Sequence, residues 1–197
     1  VTFDGQTFAL SGVDGNELWS FRGLPEKASL IMNASPAVEG DTVVVPYPTG
    51  DIVALKIANG ASAWSDSLAR SRSASSLASM SDAARPVIDG GTVFAVGHAG
   101  RMVATAAKSG ERLWSLSVPG TQAPYVAGDA VYVVDTAGQL MAITRRDGKV
   151  LWTVNLPGKG TWSGPVLAGG SLWLTSSAGS LTSVDAASGK VATQQDL

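Results

Sequence analysis

The chain has 197 residues, enough to bury the core of one domain or of a run of repeats acting as one. Twenty-three glycines, 45% hydrophobic and 15% charged residues suit a turn-rich all-β protein and argue against disorder. The formal charge of −2 gives no general pull toward nucleic acid or anionic membranes, and the lack of cysteine excludes disulfides, thiolate metal sites and cysteine nucleophiles.

No apolar run approaches the ~18 residues of a membrane span, and no signal peptide heads the chain. The first residue is Val1, and the opening lies in the middle of a repeat. The chain is therefore read as a fragment or processed product whose targeting segment would lie upstream.

Residues 1–21, VTFDGQTFALSGVDGNELWSF, form the back part of a repeat, and residues 22–33 are an insertion. Full repeats follow at 34–68 and 84–118, separated by the Ser/Ala-rich insertion 69–83, and then at 122–156 and 163–197. The third full repeat is the clearest. Its short apolar runs Tyr125-Val126, Val131–Val134, Leu140–Ile143 and Val150–Val154 are punctuated by Gly128-Asp129, Gly138 and Asp147-Gly148. Runs of this length between turn residues are strands and are too short for helices. Asp-Gly supplies the positive φ that tight hairpins need.

A four-stranded meander cannot bury both faces alone, so stacked copies imply a propeller. Prolines 36, 86, 124 and 165 anchor the four full repeats. Gly15, Gly60, Gly110 and Gly148 each precede a tryptophan by four residues: Trp19, Trp64, Trp114 and Trp152. In the last repeat Gly189 is followed at that offset by Thr193. Successive tryptophans lie 45, 50 and 38 residues apart, near the blade periods expected. The fold class is thus all-β, one partial propeller over residues 1–197. A complete ring of seven or eight blades would need roughly 300–350 residues, so about half of a ring is expected here. Open blade faces and strand edges predict a homodimer or a strand swap.

Catalytic chemistry finds little footing. His98 is the only histidine, so a zinc site or a Ser-His-Asp triad is hard to assemble. Gly158-Lys159-Gly160 lacks the GxxxxGK[ST] spacing of a phosphate loop. Asp147-Gly148 and Asn59-Gly60 hold hairpin turns. Arg145, Arg146 and Lys149 read as a solvated face. No metal, cofactor or catalytic residue is assigned.

The Gly-x-x-x-Trp offset, with phrases such as TAAKSGERLW (105–114), resembles the tryptophan-docking repeat of the PQQ-like propeller superfamily. That superfamily includes quinoprotein dehydrogenases and the non-catalytic lipoproteins of the BamB family, part of the outer-membrane β-barrel assembly machinery. Three phrases, at 23–68, 85–104 and 120–152, are similar to BamB proteins of the α-proteobacterial kind, and the likeness runs from about residue 1 to residue 190. It implies an eight-bladed parent, lipid-anchored at the periplasmic face of the outer membrane, that docks the barrel-assembly protein BamA and assists insertion of outer-membrane proteins. Nascent outer-membrane proteins would be further partners.

In that family an Arg with nearby apolar residues after a Trp-bearing strand, and acidic residues in a later loop, contact BamA. The matching positions are Phe21 and Arg22 in WSFRG and Asp82 in SMSDAARPV. The first match has an aromatic where an aliphatic is usual, and the second lacks the family's neighbouring acid. Read without the resemblance, Arg22 is either a carboxylate-gripping fork or a solvated loop residue, and Asp82 either pairs with a cation or begins a turn. The alternative function is a fragment of a PQQ-dependent dehydrogenase, which would need a quinone, calcium, a catalytic Asp and often paired cysteines.

Trp19, Trp64, Trp114 and Trp152 read as structural wedges between blades; Trp162 and Trp173 lie off the pattern. Trp114→Ala is expected to cost roughly 3–5 kcal/mol of stability and to leave partner binding by the remaining folded protein intact. An unchanged melting temperature would count against the wedge.

Overall fold

Every regular element described is a strand of three to six residues, and glycines of positive φ make the turns between successive strands of each meander. The computed structural model describes residues 1–2, 4–23, 35–68, 83–98 and 100–197. The chain begins with a two-stranded sheet, β1 (Gln6–Leu10) and β2 (Glu17–Arg22). Four antiparallel meanders follow. The first is β3 (Ala37–Glu39), β4 (Thr42–Pro46), β5 (Asp51–Lys56) and β6 (Ser62–Ser67). The second is β7 (Val87–Asp89), β8 (Thr92–Gly97), β9 (Arg101–Ala106) and β10 (Arg112–Leu116). The third is β11 (Tyr125–Ala127), β12 (Ala130–Val134), β13 (Gln139–Thr144) and β14 (Val150–Asn155). The fourth is β15 (Val166–Ala168), β16 (Ser171–Thr175), β17 (Ser180–Asp185) and β18 (Val191–Asp196). Within each sheet the strands pair in chain order. These are the four-stranded sheets of a β-propeller, and the chain is part of one.

Two compact units are formed, Val1–Thr121 and Gln122–Leu197. In the first, β4 and β5 are nearly continuous apolar runs because both faces of their sheet are covered. Val43, Val45, Val53 and Leu55 cluster with Trp19 and Phe21 of β2. Val44, Ile52 and Ala54 point the other way and meet Val93, Ala95 and Val103. In the second unit Tyr132, Val134, Leu140 and Ala142 pack on Leu172, Leu174 and Val184. The last strands are more polar and exposed, as SAWSDS of β6 illustrates.

Each outer-strand tryptophan stands opposite an alanine of its neighbour strand: Ala9↔Trp19, Ala54↔Trp64, Ala104↔Trp114 and Ala142↔Trp152. The register shifts beside each pair, a bulge that turns the strand locally. The indole then leans away from its own sheet. Trp19 Nε1 donates to Ile57 O at 2.7 Å, Trp64 Nε1 to Ala107 O at 2.8 Å, and Trp152 Nε1 to Ala186 O at 3.2 Å. Three residues after each acceptor comes a glycine of positive φ (Gly60, Gly110, Gly189) whose missing Cβ leaves room for the ring. A Cβ on Gly110 would lie 2.5 Å from Trp64 Cγ, and one on Gly60 would lie 2.6 Å from Trp19 Cε3. Gly189 receives Trp152 in the same way, although its own repeat carries Thr193 in place of tryptophan.

Two glycines of similar φ separate the cost of backbone handedness from the cost of the ring. Gly40 has φ +59° and nothing within 4 Å of a built Cβ; Gly110 has φ +74° and meets Trp64. Gly40→Ala is expected to cost about 1–2 kcal/mol, the penalty of a left-handed L-residue. Gly110→Ala is expected to cost at least about 2 kcal/mol more, because the indole must also move. Urea midpoints of the two variants check this, and equal losses would remove the ring from the account.

Candidate functional site

In the first unit, antiparallel order brings the ends of β2, β6 and β10 to the same rim as the β4–β5 turn. The Gly15, Gly60 and Gly110 turns lie at the other rim. Both insertions seen in the sequence leave from the first rim, one just past Arg22 and the other just past Leu68. Residues 24–34 and 69–82, which take in most of those insertions and with them Asp82, lie outside the described residues.

Beside the end of β2, between the β1–β2 sheet and the β3–β6 sheet, lies a groove of about 440 Å³. Phe21 and Gly23 line one side, and Tyr47, Asp51, Val53 and Ser65 line the other. The Phe21 and Tyr47 rings are tilted by 56° with centroids 6.3 Å apart. Tyr47 is buried, and its hydroxyl shares a 2.8 Å hydrogen bond with the buried Thr7 hydroxyl. Burial pushes the Tyr47 phenol above its ordinary value, and the bond to Thr7 acts in the opposite direction. Gly23 lies against the face of this ring, so that a Cβ there would sit 2.5 Å from two ring carbons.

Strand alternation sets which side chains enter. Asp51, Val53, Ser65 and Ser67 share the groove face of their sheet. Asp51 Oδ2 accepts a hydrogen bond from Thr49 Oγ1 at 2.9 Å. Asp66 borders the groove but turns its side chain to the opposite face. There Arg112 holds both of its oxygens, Nε donating to Oδ2 at 3.0 Å and Nη2 donating to Oδ1. Thr105 Oγ1 donates to the same Oδ2 at 3.3 Å. The hydrogen bond to Asp66 raises the Arg112 guanidinium above its ordinary value.

Phe21 and Arg22, adjacent in sequence, fall on opposite faces of β2. Phe21 shares its face with Trp19 and packs on the next sheet, while Arg22 is exposed at the groove rim. Among the described residues Arg22 makes no hydrogen bond or ion pair. Its charge is one small cause of the lowered Asp4 carboxyl, after the hydrogen bonds from Thr2 and Gln6. Tyr47, Gly23 and Asp51 were not singled out by sequence reasoning. Their signal lies in comparing repeats column by column, where Tyr47 departs from the small or polar residues of its sister sheets.

The remaining sequence candidates fall elsewhere. His98 is exposed in a turn, and Lys159 is exposed between Gly158 and Gly160, both of positive φ. Trp162 is buried on the third meander beside Gly138, whereas Trp173 is partly exposed and donates to Ala168 O at 3.3 Å. Among the described residues no three His, Asp or Glu side chains gather as metal ligands would, and no helix is long and apolar enough to cross a membrane.

The family model described as outer membrane protein assembly factor BamB matches residues 1–154. The chain belongs to this family. The crystal structure of BamB from Moraxella catarrhalis superposes with a TM-score of 0.88 at 20% identity, covering 98% of this chain and 59% of that one. A quinohemoprotein alcohol dehydrogenase from Comamonas testosteroni gives 0.75 at 15% identity, over 98% of this chain and 40% of the enzyme. At such identities these likenesses show the fold. An uncharacterised protein of Rickettsia prowazekii is 36% identical over 63 residues, 32% of this chain and 15% of that protein. The chain thus spans only part of the length of the relatives it matches.

The buried phenol gives a pH test. The folded state disfavours the Tyr47 phenolate, so its contribution to stability is whole below the ordinary value of 10.0 and is lost as pH rises through the higher folded value. Tyr47→Phe is expected to cost about 1 kcal/mol near neutrality through the lost Thr7 bond. It is also expected to reduce the further loss of stability seen between about pH 8 and about pH 11. Urea midpoints at the two pH values measure both, and identical alkaline slopes would show that Tyr47 does not titrate in the unfolding equilibrium.

Proposed function

We propose that the chain is a non-catalytic scaffold of the outer-membrane β-barrel assembly machinery, docking a BamA-type protein through the rim that carries Phe21, Arg22 and the Asp82 loop. The observation that carries this is the groove at the end of β2, placed where both insertions leave the sheets. Family membership supplies the process. The role is positioning: loop side chains and strand edges hold a partner, and nascent barrel strands add to an edge through main-chain hydrogen bonds. The parent protein acts at the periplasmic face of the outer membrane, held by a lipid anchor outside this chain. No cofactor enters the mechanism.

The likeness in fold to a quinohemoprotein alcohol dehydrogenase favours a second reading, an enzyme fragment. Alcohol or sugar oxidation after reconstitution with quinone and calcium would establish it over the scaffold. For the scaffold, the soluble periplasmic domains of the BamA-type protein are expected to retain the wild-type protein in a pull-down. Arg22→Glu is expected to weaken that binding about tenfold or more, with the circular dichroism unchanged. Binding indifferent to the charge reversal would remove Arg22 from the interface, and no binding by the wild type would remove the docking reading.

A further inference from the structure

Backbone hydrogen bonds identify equivalent positions in successive sheets. Gly23 N donates to Gly5 O, as Leu68 N does to Gly50 O, Leu156 N to Gly138 O and Leu197 N to Gly179 O. Gly23 therefore stands where three sister sheets carry leucine, and where the β7–β10 sheet, four residues after Trp114, carries Val118. Tyr47 N donates to Asp51 O and Gly50 N returns to Tyr47 O, the pattern that Asp135 and Ser176 make in their own turns. In the β7–β10 sheet this place belongs to Gly97, which pairs with Arg101 and accepts from Gly100 N. Strand register adds two more columns. Thr7 opposite Phe21 corresponds to Ile52 opposite Asp66. Ser62, two residues before Trp64, corresponds to Arg112, two residues before Trp114.

These columns show what differs between neighbouring sheet interfaces of the first unit. Between β3–β6 and β7–β10, Ile52 and Leu68 are fully buried. Leu68 closes on Gly97, whose absent Cβ would lie 2.7 Å from Leu68 Cβ. Asp66 and Arg112 bridge the same two sheets. Between β1–β2 and β3–β6 the corresponding residues are Thr7, Gly23 and Tyr47 at the plug, and Phe21 and Ser62 at the bridge. The leucine is gone from one wall and a ring has come from the other, while the ion pair is replaced by an aromatic and a hydroxyl. What remains is the groove, with Phe21, Tyr47 and Val53 as its apolar floor.

The groove wall carries the carboxylate of Asp51, and its rim carries the guanidinium of Arg22. Asp51 is half-buried on the groove face, and among the described residues its carboxylate accepts only the Thr49 hydroxyl. Ser62, Ser65 and Ser67 add neutral hydroxyls, while Arg22, on the alternate face of β2 from Phe21, reaches only the exposed rim and leaves Asp51 as the charge on the inner wall. A carboxylate on a partly desolvated wall is best matched by a cation that also brings apolar surface.

We propose that this interface is an open recognition groove, seating an extended segment of a partner protein whose aliphatic side chain lies on Phe21, Tyr47 and Val53 and whose neighbouring lysine or arginine reaches Asp51. Gly23 and Tyr47 set its shape, and Asp51 sets its specificity. The identity of the partner rests on the docking reading given above; the site does not.

Two acetylated, amidated peptides, TLKLT and TLDLT, test the groove by chemical-shift titration of the isotope-labelled protein. The lysine peptide is expected to shift the Gly23 amide and the Tyr47 ring saturably, about tenfold more tightly than the aspartate peptide. Asp51→Asn is expected to abolish that preference. The variant Thr7→Ile/Gly23→Leu/Tyr47→Gly, which installs the neighbouring plug, is expected to melt cooperatively and to lose the shifts. No response at Gly23, equal responses to the two peptides, or shifts that persist in the plugged variant overturn the proposal. Should the plugged variant not fold, the Asp51→Asn comparison decides alone. Peptide seating with no retention by the BamA-type domains would overturn the docking reading and leave the groove standing.

Discussion

The contact on which the rest of this structure depends is an indole laid on a glycine of the following sheet. Trp19, Trp64 and Trp152 each reach a carbonyl three residues before a glycine of positive φ. The ring supplies a large apolar area, its N–H finds a backbone carbonyl to donate to, and the glycine admits both. Because the donor belongs to one sheet and the acceptor to the next, the contact sets the spacing of sheets that share no strand. A four-stranded meander with both faces apolar is stable only when that spacing is held.

Against so regular a device, local departures become informative. The groove exists because one interface of the first unit lacks the leucine plug and the Asp66–Arg112 bridge that close the next one. Tyr47 fills part of the lost volume and is itself held by Thr7, so the opening keeps a defined wall. Interiors pack densely enough that exchanging a leucine for a glycine on one wall demands an answer on the other. Here the answer is incomplete, and the remainder is the groove beside the end of β2.

The same fold carries an assembly factor in Moraxella catarrhalis and an alcohol dehydrogenase in Comamonas testosteroni. Stacked sheets therefore say little about chemistry, and function has to be sought in what is mounted on them. In this chain the mounted features are a rim, a groove and an exposed arginine.

The sequence by itself determined the strands, their turns and the repeat, because these are read from periodicities of two residues and from glycines within a few positions of one another. The Gly-x-x-x-Trp spacing was legible in the same way, but its meaning was not. Gly15 lies four residues before Trp19, yet Trp19 rests on Gly60, and nothing lies within 4 Å of a Cβ built on Gly15. The two signals share a repeat only because the turns at Gly60, Gly110 and Gly189 each serve the tryptophan of the sheet before. Phe21 and Arg22 were legible as neighbours, and strand alternation then sent them to opposite faces. Tyr47 meets Thr7 across 40 residues, and Arg112 meets Asp66 across 46. Contacts of that separation leave no local pattern in the chain. Only the stacking of one sheet on another decided them, because that is the step at which distant side chains compete for the same volume.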